Sequence, residues 1–141
     1  LLVVRPRVKS RLWDIPGGRI HRAEPRALLE DTLKREIREE LGVHLNLEIG
    51  RPWIAYKVPL SLLRELFPKA RRSRFRGGIV SIGYFCLYNG GRIELGKEHG
   101  QLAWIDKKNF HSYPFSRWHR KAVEQFFKHS DEPGWRNPVE E

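Results

Sequence analysis

The chain has 141 residues, 40% of them hydrophobic, with 27 Lys and Arg against 17 Asp and Glu for a net charge of +10. That length suits one domain with a real core rather than two, the composition excludes a disordered or fibrous chain, and no apolar run nears the roughly 20 residues of a membrane helix. The positive excess favours anionic partners, meaning phosphates, nucleotides or nucleic acid, without choosing among them.

Leu1 to Arg5 reads as a buried strand, and "RLWDI", ending at Ile15, as a second short one. No basic leader or cleavage site is visible in "LLVVRPR", so no secretory signal is expected; the chain has no methionine, so its natural start is expected to lie upstream of Leu1. Pro16, Gly17 and Gly18 then force a turn. Leu29, Leu33, Ile37 and Leu41 recur every four positions, which predicts an amphipathic helix over residues 28–41, with Gly42 as its stop. "VHLNLEI" and "WIAYKV", broken at Arg51 and Pro52, predict one bent strand or two successive ones. "LSLLRELF" predicts a short helix, and "PKARRSRFRGG" a solvated basic loop.

"IVSIGYFCLY" is the strongest strand pattern, with "NGGRIEL" turning it into a hairpin partner. Its single cysteine, Cys86, reads as a buried structural thiol and suits a reducing, cytoplasmic setting. "GKEHGQ" is a loop before a short strand, "LAWID". In "SRWHRKAVEQFFKH", Trp118, Ala122, Val123, Phe126 and Phe127 share one helical face and should pack on the core. The expected organisation is a domain over residues 1–129 with a polar tail over 130–141. The order of elements makes the fold α+β, a mixed sheet flanked by helices.

The chemistry concentrates on the first helix. At about 100° per residue, Glu36, Glu39 and Glu40 project beside one another at the edge of the apolar stripe. Like charges at these spacings repel by a few tenths of a kcal/mol per pair. Arg35 and Arg38 are expected to point elsewhere and not to offset all three. A hard divalent cation such as Mg²⁺ would do so, although "REIREE" by itself is also ordinary solvated helix surface.

With the glycines around it, the stretch resembles the Nudix hydrolase signature, G-x5-E-x7-R-E-U-x-E-E-x-G-U, where U is a bulky aliphatic residue. Gly18, Glu24, Arg35, Glu36, Ile37, Glu39, Glu40, Gly42 and Val43 match its specified letters. One departure stands: ten residues, "PRALLEDTLK", separate Glu24 from Arg35 where the pattern has seven, as though three were inserted after Glu24. "LWDIPGG" and "LAWIDKKNF" resemble the family's flanking strands.

The resemblance implies a Nudix fold, a mixed sheet sandwiched between helices, and metal-dependent hydrolysis of the diphosphate linkage in a nucleoside diphosphate bearing some group X. It implies that Glu36, Glu39 and Glu40 hold Mg²⁺ or Mn²⁺ beside Gly18, with Glu39 and Glu40 central to catalysis and Arg35 as an orienting salt-bridge partner. Family members often use a further carboxylate outside the signature, here Glu98, and its neighbour His99 is an alternative proton acceptor. Arg5, Arg7 and Arg11 are candidates for binding substrate phosphates, as are Arg71, Arg72, Arg74 and Arg76 in the basic loop. Trp53 and Tyr56 are candidates for stacking on a base, or else ordinary core residues.

The substrate is expected to be a small nucleotide. A nucleotide sugar or ADP-ribose stands slightly ahead of nucleoside triphosphates, on Pro59; Tyr56 is a faint marker of dinucleoside polyphosphates. Two alternatives remain: a basic nucleic-acid-binding protein, and a hydrolase acting on RNA 5′ ends. No membrane partner is expected, and the assembly is a monomer or a homodimer.

Overall fold

The computed structural model of the protein describes residues 1–7, 11–18, 20, 28–58 and 79–131. Glu24, Pro59, the expected helix "LSLLRELF", the arginines of the basic loop and the tail beyond Asp131 lie outside the described residues.

The organising strand is β1 (Leu2–Pro6), which pairs antiparallel with β4 (His99–Trp104) so that Val3 faces Ala103 and Val4 faces Leu102 across the ladder. Side chains alternate along a strand, and both faces of β1 are apolar. Val3 packs with Ile105, Phe110, Phe115, Val123 and Phe127. Val4 packs with Ile37 and Leu41 of helix α1 (Leu29–Leu41). The first cluster includes the inner face of helix α2 (Arg117–His129), where Ala122, Val123 and Phe127 are buried as the sequence pattern requires. Two helices thus cover opposite faces of one small sheet, giving the expected α+β arrangement.

A second sheet consists of β2 (Leu45–Val58) and β3 (Ile79–Gly91), also antiparallel. The break expected at Arg51 and Pro52 is a set of register shifts, between Ile49 and Pro52 and between Pro52 and Ile54, within one continuous strand. Proline cannot donate to the ladder, so the pairing slips there and resumes. Both ladders are antiparallel; the parallel contact is an isolated bridge between Trp13 and Phe115.

Three local expectations need correction. "RLWDI" contributes only isolated bridges, Val4 to Asp14 and Trp13 to Phe115, rather than a strand. Leu29, at the start of the apolar stripe, is exposed, so the buried part begins at Leu33. "RIEL" does not pair with β3, whose partner is β2. Its backbone instead serves the end of α1 and the turn after it: Arg92 N–H donates to His44 O at 3.2 Å, Glu94 N–H to Leu41 O at 2.8 Å and Gly96 N–H to Glu40 O at 2.8 Å. Helix ends leave carbonyls without intrahelical partners, and this segment supplies the donors. Ile93 and Leu95 still point into the Ile37 and Leu41 cluster, so the apolar alternation was real while the ladder was not.

Candidate active site

Helix α1 begins with Glu30 and Asp31 in its first turn, which suits the positive end of the helix dipole, and closes on Gly42 at φ 96°, a left-handed conformation that favours glycine. Its last two turns carry the acidic cluster. Glu36 is buried and Glu40 nearly so, with 13% of its side chain exposed, whereas 58% of the Glu39 side chain is exposed.

Each carboxylate has a partner from the protein. Arg35 Nη2 donates to Glu36 Oε1 at 2.8 Å, and Arg35 Nη1 donates to Glu39 Oε1 and Oε2 at 3.1 and 3.2 Å. The sequence reading therefore needs correction here. Arg35 does not point away; its fork spans two of the three carboxylates, and only Glu40 is left to other partners. Those are the turn and β4: Gly17 N–H donates to Glu40 Oε2 at 2.9 Å, and His99 Nε2 lies 2.9 Å from Glu40 Oε1. The His99 contact is within ion-pair distance, but the ring N–H is poorly aligned with the oxygen, so we treat it as a close polar contact rather than a directional hydrogen bond.

The two glycines of the turn have separate tasks. Gly17 sits at φ 154° and offers its N–H to Glu40. Gly18 lies so close to helix α1 that a Cβ there would overlap the Glu36 carboxylate. Burial pushes the Glu40 carboxyl above its ordinary range; contact with His99 and the Gly17 N–H pull it back, and the charge of Asp14 adds to the rise.

The remaining predicted residues divide. Arg7 comes to the site's edge, but its backbone N–H donates to Glu98 O at 2.8 Å and its Nε to His99 O at 3.1 Å, which pins the start of β4. Arg5 is half-buried in β1, and Arg11 and Glu98 are exposed. Trp53 packs edge-on against Phe126 at 5.8 Å. Tyr56 is half-buried opposite Ser81, and burial pushes its hydroxyl above the usual range.

Two groups were not singled out from sequence. Asp14 Oδ1 lies 3.0 Å from His119 Nδ1, joining the segment before the turn to α2. Gly96 lies so near the helix end that a Cβ would overlap Glu39 O. Neither carries a local sequence signal, because each depends on residues far apart in the chain.

Oxygen donors at i, i+3 and i+4 on one helix, under a glycine turn with no room for a side chain, fit a hard divalent cation in kind. Among the described residues, no three acidic, imidazole or thiol side chains converge into a ready cluster. Glu39 is turned to solvent on Arg35, and a cation would have to compete with that guanidinium.

Comparisons with known proteins point to one family. A family model described as NUDIX domain matches residues 1–126. The chain is 25% identical over 111 residues to the nucleoside triphosphatase NudI of Escherichia coli (strain K12), covering 79% of this chain and 73% of the relative. It is similarly 25% identical over 113 residues to NudI of Klebsiella pneumoniae (strain 342), covering 80% and 74%. With NudI of Escherichia fergusonii the identity is 26% over 117 residues, covering 79% and 73%.

Proposed function

The chain belongs to the Nudix hydrolase family as a pyrophosphohydrolase, and from that premise we propose that it cleaves the diphosphate linkage of nucleoside triphosphates, using Glu36, Glu39 and Glu40 to hold Mg²⁺ or Mn²⁺. Enzymes of this family generally require a divalent metal. The observation that carries the assignment of these residues is the closure of the Gly17–Gly18 turn over α1, with Gly18 against the Glu36 carboxylate and the Gly17 N–H on Glu40.

Triphosphates are placed first because the relatives are named for that activity, whereas the sequence hint toward ADP-ribose or a nucleotide sugar rests on Pro59. Tyr56 is half-buried in the β2–β3 ladder, which weakens it as a marker of dinucleoside polyphosphates.

When bound, a divalent cation supplies neutralisation of the diphosphate charge and activation of water. The protein's part is positional. Glu36 and Glu40 are held by Arg35, Gly17 and His99 before any ligand arrives, so less ordering is needed at the moment of binding. Glu39, the most exposed of the three, would turn toward a cation by giving up its contact with Arg35. Arg35 orients Glu36 and neither gives nor takes a proton. Glu98 lies in solvent next to His99, within the segment that would approach a bound substrate, and is proposed as the additional carboxylate. Arg5 and Arg11 contribute positive charge for the phosphates.

The test is product analysis over a panel of nucleoside triphosphates, ADP-ribose, nucleotide sugars, dinucleoside polyphosphates and capped RNA, with Mg²⁺, Mn²⁺ or chelator. The expected result is metal-dependent release of nucleoside monophosphate and pyrophosphate from triphosphates. Glu40→Gln and Glu39→Gln should each reduce it by about a hundredfold or more, since even outer-shell changes at metal sites cost roughly 10–100-fold. Turnover of ADP-ribose or a sugar nucleotide instead would restore the sequence-based preference. Metal-independent, salt-sensitive RNA binding without turnover would replace the hydrolase reading by a nucleic-acid-binding one.

A further inference from the structure

We infer that His99 is a positioning residue, one jaw of a two-point clamp that sets the orientation of the Glu40 carboxylate. The inference deepens the proposed function and rests on its assignment of Glu40 as a cation-holding residue.

The clamp is visible in how the two oxygens of Glu40 are used. Oε2 accepts from Gly17 N–H at 2.9 Å, and Oε1 faces His99 Nε2 at 2.9 Å. With Oε2 hydrogen-bonded to the turn and Oε1 in close polar contact with the β4 imidazole, rotation of the carboxylate is restricted from two different segments. A carboxylate offers about four lone-pair directions, so one contact at each oxygen leaves the others open toward a ligand.

His99 is an unusual residue for purely structural use. It is 6% exposed, and neither ring nitrogen has a well-aligned hydrogen bond among the described residues. Leaving buried polar groups in this state is destabilising, a cost that an apolar ring of similar size at the same position would avoid. The polar neighbour that the imidazole does have is Glu40.

The backbone around His99 is fastened on two sides, which fixes where the ring can go. Toward β1, Arg7 donates from its N–H to Glu98 O and from its Nε to His99 O. Toward α1, Gly96 N–H donates to Glu40 O at 2.8 Å, and His99 N–H donates to Gly96 O at 3.2 Å. The residue that carries the carboxylate and the residue that grips it are therefore tied through Gly96, whose missing side chain permits the close approach. Arg7, expected from sequence to hold a phosphate, acts through this tie.

The experiment compares wild type, His99→Phe, His99→Gln and Glu40→Gln. Each is assayed for Mn²⁺ affinity by titration calorimetry without substrate, for steady-state kcat and KM on the turned-over nucleotide, and for thermal stability in chelator. Phenylalanine keeps the buried volume without a polar atom; glutamine keeps an N–H donor at similar reach. The expected result for His99→Phe is a fall of about tenfold or more in Mn²⁺ affinity and in kcat, with KM within about twofold and a chelator melting temperature no lower than wild type. His99→Gln should recover most of both losses.

The proposal is overturned if His99→Phe binds Mn²⁺ as wild type does, or if His99→Gln is as impaired as His99→Phe while equally well folded, which would leave ring packing as the role. If Glu40→Gln itself binds Mn²⁺ normally, the assignment of Glu40 fails and the clamp fails with it. Loss in Glu40→Gln without loss in His99→Phe rejects the clamp alone.

Discussion

Gly18 shows how one missing side chain constrains the proposed chemistry. A Cβ there would overlap the far end of Glu36, and that end can swing, so Gly18→Ala is expected to fold with a melting temperature close to wild type. The swing must break the 2.8 Å contact with Arg35, however, and the metal-induced rise in melting temperature should be lost; differential scanning calorimetry with and without Mn²⁺ checks both. Cys86 behaves in the opposite way, as an inert residue whose burial pushes its thiol up to about 11. Its folded value lies above the unfolded one, so its contribution to stability is complete below about pH 9 and is lost as the pH rises through about 11. At pH 8 the native thiol should react with a disulfide reagent about a hundredfold slower than in the urea-unfolded chain, because the thiolate is the nucleophile. Among the proposed site residues, the grouping of the glutamates was legible from spacing within one short stretch, and Gly18 through the resemblance to the signature. The partnership of Glu40 with His99 was not, since it joins positions 59 residues apart in the chain, a distance set only by folding.

Helix α1 is the element that sequence describes best, because a four-residue apolar repeat and a terminal glycine are local signals. What the repeat could not say is which side of β1 the helix would cover, and the answer comes from Val4, Ile37 and Leu41 meeting in one cluster. Leu41 is 3% exposed and directly follows Glu40 in the helix. Leu41→Ala should destabilise the fold by about 2–5 kcal/mol, readable in urea melts, and should weaken the metal response as well because the helix end loosens. The segment after β3 was misread for a definite reason. "RIEL" alternates like a strand and places Ile93 and Leu95 in the core as a strand would, but its N–H groups bond to the carbonyl ends of α1 rather than to a neighbouring strand. Periodicity reports where side chains go, and it is silent about what the backbone binds.

Across the whole molecule, a net charge of +10 surrounds a local concentration of carboxylates on one helix. The two are compatible if the basic exterior attracts a polyanion that the acidic helix handles only with a cation's help. Exposed charges are screened over about 10 Å at 0.1 M salt, so raising ionic strength from 50 to 300 mM should raise KM several-fold with little change in kcat; initial-rate kinetics at fixed metal activity would show it. Composition had indicated an anionic partner without naming it, and the fold narrows the choice only through the family and the site. The hydrogen bonds from Glu94 and Gly96 to the end of α1 also bear on how the molecule breathes. Their amide protons sit outside any strand or helix yet are bonded to the last turn of α1, so they are expected to open with the helix end and, in deuterated water, to exchange at the pace of α1 rather than of a loop. Glu40, Gly96 and His99 then belong to one opening unit, and the site would unfold and re-form as a single piece.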